Sequence, residues 1–315
     1  MIVMTLRWAA ALLPCLGLVA LAGCGAGSQA DGPAPSRDVV AAFYPLEYAV
    51  EQIGGDHVKV TGLTKPGVEP HDIELTARAV ARVATADAVV YLRGFQSAVD
   101  EAVDSQAKGR GFDVTASAHL DLAAAPDAHE AQSPGQHPSR ASASDPHFWL
   151  DPQRYAGVAD AIAAHLSSID PTNAADYQTR AKAFTARLST LDAEFAAGLK
   201  DCRSRDLVTG HTAFGYLAEA YGLHQVGISG LTPESEPSPS ALARIAATVK
   251  DEGVRTIYAE TLASREVAET LARETGARLA VLDPLEGLTE ESAGHDYFAV
   301  MRANLHTLRA GQECR

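Results

Sequence analysis

Short apolar runs alternate with longer amphipathic stretches along the chain, and each rhythm predicts a different element. Residues 38–44 read as a buried strand, and Pro45 opens a helix that ends near Gly54-Gly55. Residues 58–63 alternate as a second strand, 66–71 are loop, and 73–84 are helical. A short apolar strand at 88–92, a helix at 96–105 and a strand at 112–116 follow. This β-then-α order predicts a mostly parallel sheet covered by helices. Residues 119–146 break the pattern. They are rich in Ala, Ser, Pro, Gln and His, hold His119, His129 and His137, and predict a mobile loop. A helix at 152–167 resumes it.

From Ala174 to Leu199 apolar residues recur at steps of three and four: Tyr177, Ala181, Phe184, Leu188, Leu191 and Phe195. That spacing predicts one amphipathic helix on the order of 40 Å long, a stiff spine between two α/β regions. The second region reads as strands at 206–209, 224–228, 256–259 and 279–282, with helices at 213–221, 239–251, 266–275 and 297–308. Ser238 caps the second of these helices and Gly276 closes the third. The predicted fold class is α/β: two lobes, each a mostly parallel sheet with flanking helices, joined by one long rigid helix. The boundaries are an N-terminal lobe at 37–170, a linker helix at 171–200 and a C-terminal lobe at 201–315.

The first residues belong to neither lobe. Arg7 is the only charge before Gly23, and an apolar run from Trp8 ends in Leu21-Ala22-Gly23-Cys24. The run is short for a membrane span. It resembles a bacterial lipoprotein signal at 1–23, cut before Cys24, whose acyl chains would anchor the protein outside the cytoplasm. A plain secretory signal with a chance cysteine is the alternative. Residues 24–36, rich in Gly, Ser and Pro, read as a flexible tether. Cys202 and Cys314 remain after processing. In an oxidising compartment they suggest one disulfide, with two free buried thiols as the other reading. The net charge of -14 argues against a nucleic-acid partner, which would need clustered Lys and Arg.

The chain contains no HExxH, CxxC, GxSxG or phosphate-cradling glycine loop, which weakens the case for nucleotide binding and serine hydrolysis. Four polar residues stand where strands end: His71, His147, His211 and Asp283. Ligands of open α/β sheets collect beyond the carboxyl ends of strands, so two facing lobes would bring such residues together. Spacing alone leaves each of them more readily read as a hydrogen-bonded structural residue.

Several segments carry a resemblance: Phe43-Tyr44-Pro45-Leu46, Glu69-Pro70-His71-Asp72, Ala86-Asp87, the block from Asp145 to Pro152, Gly210-His211-Thr212-Ala213-Phe214-Gly215-Tyr216, and Leu282-Asp283-Pro284-Leu285. From about residue 38 to 310 the chain resembles the metal-binding solute-receptor lipoproteins of zinc/manganese ABC importers. The resemblance implies two lobes holding a metal between them, with His71, His147, His211 and Asp283 as ligands. It implies an ABC-type membrane permease as partner, and the chain is read as a monomer, not an enzyme. Three imidazoles and a carboxylate suit tetrahedral Zn²⁺, while Mn²⁺ prefers harder oxygen donors. Glu260, at another strand end, is read as standing behind the ligands or as structural. The loop before His147 is only mildly enriched in histidine, which weakens a scavenging role. Phe95-Gln96 stands where the family frequently has a Glu. Two rival readings remain: a manganese or iron receptor of the same architecture, and a zinc hydrolase or lyase with a three-His site.

Overall fold

Each strand of the first sheet is followed by a helix or helical turn that returns the chain to the same edge, so the strands run parallel. A computed structural model of the protein describes residues 36–123, 144–233 and 237–315. The expected signal, the tether up to residue 35, Cys24 and most of the 119–146 loop lie outside the described residues. The first sheet contains β1 (Arg37–Ala41), β2 (Val58–Gly62), β3 (Ala88–Tyr91) and β4 (Gly111–Asp113), in the order β2-β1-β3-β4. Its helices are α1 (Tyr44–Gly54), α2 (Ala77–Thr85), α3 (Ser97–Ala102) and the short α4 (Thr115–Ala118). Every pairing is parallel. The central strand β3 is buried at all four positions, as expected of a strand covered on both faces.

Two long helices follow: α5 (Pro152–Ile169) and α6 (Ala174–Gly198). The second sheet contains β5 (Asp206–Thr209), β6 (His224–Gly227), β7 (Thr256–Glu260) and β8 (Arg278–Leu282), in the order β6-β5-β7-β8 and again all parallel. Its helices are α7 (Gly215–Tyr221), α8 (Pro239–Asp251), α9 (Glu266–Thr275) and α10 (Tyr297–Gly311). The two sheets therefore repeat one topology.

Local sequence explains most boundaries. Asp151, Ser238 and Asp296 each accept a backbone N–H of the first turn of α5, α8 and α10, and Pro152 and Pro239 occupy the first turns. Some predicted ends move. α2 starts at Ala77 because Thr76 caps it, leaving Ile73 and Leu75 to pack against the core from extended chain. β4 stops at Asp113, whose carboxylate accepts both the N–H and the hydroxyl of Thr115 and turns the chain into α4. α3 ends at Ala102 and continues as a wider π turn to Ala107. The flanks of the 119–146 segment are held: Ala123 bridges Ser144, and the Asp145 N–H donates to the Leu122 carbonyl.

α6 has 25 residues and is therefore about 37 Å long. It buries the predicted stripe from Tyr177 to Phe195 and packs against α1, α5 and α10. One continuous core runs from Val39 and Val89 of the first sheet, through Tyr155 and Phe184, to Leu207 and Tyr258 of the second. A smaller core lies on the other face of the second sheet, where Val208 and Ile257 meet Ile245 of α8 and Leu271 of α9. Leu207 and Val208 thus serve opposite cores, as the period-two geometry of a strand requires. Buried tyrosines fasten the layers: the Tyr155 hydroxyl donates to the Pro45 carbonyl (2.5 Å) and that of Tyr297 to the Trp149 carbonyl (2.6 Å). Among the described residues no helix is long and apolar enough to cross a membrane.

Cys202 and Cys314 form a disulfide across 112 residues, beside backbone bonds from Arg203 and Ser204 to the Gln312 carbonyl. Replacing both cysteines by serine should lower stability by about 2–5 kcal/mol, read as a shifted denaturant midpoint. An unchanged midpoint would show that the backbone bonds alone hold this corner.

Candidate metal centre

Three histidines and one glutamate meet beyond the carboxyl ends of the strands. A ligating atom from each of His71, His147, His211 and Glu286 lies within 4.8 Å of the others, and no other such group occurs among the described residues. Glu286 Oε1 is the common point: His71 Nε2 stands 3.1 Å from it, His147 Nε2 2.9 Å and His211 Nε2 3.2 Å. His147, His211 and Glu286 are fully buried, and the His71 side chain is only 9 % exposed.

His71 comes from the loop between β2 and α2. Its backbone N–H is shared by the two carboxylate oxygens of Glu69, at 2.9 and 3.0 Å, and its ring meets the Phe95 ring edge-on at 4.7 Å. His147 comes from the segment entering α5. Asp145 Oδ1 accepts both its backbone N–H (2.9 Å) and its Nδ1–H (2.7 Å). His211 follows β5. Glu260, the last residue of β7, accepts its backbone N–H (2.7 Å) and holds its Nδ1–H through the other oxygen. Carboxylates on Nδ1 fix the tautomer of both rings and turn Nε2 toward Glu286.

The block from Gly210 to Tyr216 makes room for these carboxylates. A Cβ at Gly210 would stand 2.8 Å from Glu260 Oε1, and one at Gly215 would stand 2.4 Å from Asp145 Oδ2. The Tyr216 hydroxyl donates to the Asp145 carbonyl at 3.0 Å. One short segment thus supplies His211 and shapes the support of His147.

Asp283, expected as the fourth ligand, is not in the cluster. Its Oδ1 accepts the Leu285 N–H (2.8 Å), its Oδ2 accepts the Ser292 hydroxyl (2.6 Å), and its backbone is paired on both sides with the Asn304 amide. With both oxygens engaged, it braces the turn after β8. Leu285 adopts φ +57° there, the left-handed conformation that bulky residues avoid, and the next residue, Glu286, enters the site. Trp149 Nε1 donates to the Pro284 carbonyl (2.8 Å), joining this turn to the His147 segment. Glu286 was not among the sequence candidates. Its signal was an Asp two residues before Leu285, free to close an Asx turn and so unable to serve as the free carboxylate.

Electrostatics follow from this geometry. Burial would raise the Glu286 pKa, but the three imidazoles hold it well below the usual carboxylate range. Burial would lower the His211 pKa, yet Glu260 and Glu286 hold it well above the ordinary value. His147 is likewise raised, against its burial, by Asp145 and Glu286. His71 Nε2 also stands 3.8 Å from Glu69 Oε1, yet burial lowers its pKa despite Glu286. The buried Glu286 Oε2 has no hydrogen-bond partner. A cation would satisfy it. Ligands on bonds of about 2.0–2.1 Å in a tetrahedron stand about 3.3–3.4 Å apart, close to the observed carboxylate-to-imidazole separations.

A family model described as zinc-uptake complex component A, periplasmic, matches residues 39–311. The zinc-binding protein AdcA of Streptococcus pyogenes is 38% identical over 283 residues; the match covers 86% of this chain and 55% of AdcA, so the chain spans about half the length of that relative. The high-affinity zinc uptake system protein ZnuA of Bacillus subtilis is 36% identical over 309 residues, covering 96% of this chain and 97% of ZnuA. Among solved structures, the Zn(II)-bound ZnuA-like domain of Streptococcus pneumoniae AdcA superposes with a TM-score of 0.72 at 35% identity, over 89% of this chain and 100% of that domain. The chain belongs to the family of the periplasmic component A of zinc-uptake complexes, the receptor family that its sequence motifs resemble.

Proposed function

We propose that this protein captures one Zn²⁺ ion between its two sheets, on His71, His147, His211 and Glu286, and delivers it to an ABC-type membrane permease. The observation that carries the reading is the convergence of three imidazole Nε2 atoms and one carboxylate in a buried pocket. Three nitrogen donors and one oxygen favour Zn²⁺ over Mn²⁺. A zinc hydrolase needs an open coordination position for water. Four protein donors with almost no solvent exposure fit a cargo site better, so the protein acts as a receptor without catalysis. The acylated Cys24 proposed from the Leu-Ala-Gly-Cys sequence would keep it at the membrane beside its permease; a Streptococcus pneumoniae relative, 36% identical, is called a zinc-binding lipoprotein.

Calorimetric titration should give one tight Zn²⁺ per chain and much weaker Mn²⁺. Asp145→Asn and Glu260→Gln, which loosen the ring orientation, should each cost about 10–100-fold in affinity. His147→Ala and His211→Ala should cost more than either. Wild-type zinc affinity in both alanine variants would show that the two sheets share no metal.

Zinc binding should also release protons. Glu260 and Glu286 hold the His211 pKa well above its ordinary value, which favours the protonated ring in the metal-free protein. Zinc must displace the Nε2 proton, so affinity should rise with pH through the neutral range. Titration at pH 7 in buffers of different ionisation enthalpy should report net proton release. Zero release would mean that the imidazoles are already neutral.

The anchor has its own test. Cys24→Ser should move the protein from the detergent phase to the aqueous phase and leave zinc affinity unchanged. Continued partitioning into detergent would rule out lipidation at Cys24.

A further inference from the structure

We propose that Gln96 is a positioning residue for His71: its side-chain amide fastens both ends of the loop that presents this imidazole. The inference rests on the reading of His71 as a zinc ligand and adds a residue that touches no metal. Within the loop from Thr64 to His71, Lys65, Pro66, Gly67 and Val68 are exposed, and the Gly67 N–H donates to the Leu288 carbonyl at 3.0 Å.

Gln96 lies just before α3 and is 2 % exposed. Its Nε2 donates to Thr64 Oγ1 (3.1 Å) at the start of the loop and to the Pro70 carbonyl (3.0 Å) at its end. The bonding pattern admits one orientation of the amide. The Pro70 carbonyl only accepts, and the buried Thr64 hydroxyl already donates to the Ala42 carbonyl at 2.9 Å. Both partners therefore demand an N–H, and the two hydrogens of one amide nitrogen meet both. A path of buried hydrogen bonds thus runs from the end of β1, through Thr64 and Gln96, to the residue before His71. The adjacent Phe95 ring packs on the His71 ring from the same segment and is itself seated on Phe43 (4.8 Å). Residues 95 and 96 together fix the imidazole from its ring edge and from its backbone.

Methionine is the decisive substitution, because it keeps the length and removes the N–H groups. In Gln96→Met the two buried acceptors lose their donor, and the loop loses both fastenings. Zinc affinity, measured by competition with a chromophoric chelator, should fall about 10–100-fold, the range for residues that orient a metal ligand. The same change in a His71→Ala background should cost less than about 3-fold, because the group it positions is gone. Gln96→Leu, likewise uncharged and without an N–H donor, guards against a variant that fails to fold and should lose affinity in the same direction. Thermal melting of each zinc-free variant accompanies the titrations. Wild-type affinity in both Gln96 variants, or an equal loss with and without His71, would overturn the positioning role. Wild-type affinity in His71→Ala itself would instead overturn the ligand assignment on which it rests.

Discussion

A carboxylate buried with three imidazoles around one of its oxygens is the constraint on which this structure turns. An isolated buried carboxylate is strongly disfavoured, and a buried imidazolium is scarcely better. Here the charges answer one another. Glu286 faces Nε2 of His147 and His211, and Asp145 and Glu260 face their Nδ1. The arrangement needs positive charge at its centre. A divalent ion on the same atoms would supply it.

The surrounding fold serves that centre through backbone carbonyls and small residues more than through further charges. Trp149, Tyr216 and Tyr297 each place a ring in the core and spend a polar tip on a carbonyl of the 145–149 segment or of Pro284. These bonds cross from one sheet's loops to the other's. With α6 lying along a core continuous between the sheets, the histidines of the first region and the carboxylate of the second are held at bonding distance by packing. Gly210 and Gly215 complete the device by leaving space for Glu260 and Asp145.

Much of this was legible in the sequence because parallel sheets buried on both faces leave unbroken apolar runs, and amphipathic helices leave their own period. The strand at 206–209 and the helices at 239–251 and 266–275 agree with the structure to the residue. Boundaries moved where a side chain outcompeted the period, as at Thr76 and Asp113. Three histidines at strand ends could be named for the same topological reason. The carboxylate could not, because strand-end placement favours Asp283 over Glu286. The left-handed turn at Leu285 reverses that order: Asp283 closes a local turn on the Leu285 N–H, and bonds from Ser292 and Asn304, which no local pattern contains, hold it there. The supporting roles of Asp145 and Gly215 were hidden likewise. Their partners lie about 70 residues apart in sequence and meet only after folding.

The bond between Cys202 and Cys314 gives the second sheet a different topology from the first. All four of its strands, β5 to β8, lie on a closed covalent ring. One cut in the backbone between those cysteines opens the ring into a line but frees neither piece. A chain nicked once in that stretch keeps its fragments at high effective concentration, able to close again around the core. The first sheet has no such closure among the described residues, so its strands stay assembled by hydrogen-bond ladders and packing.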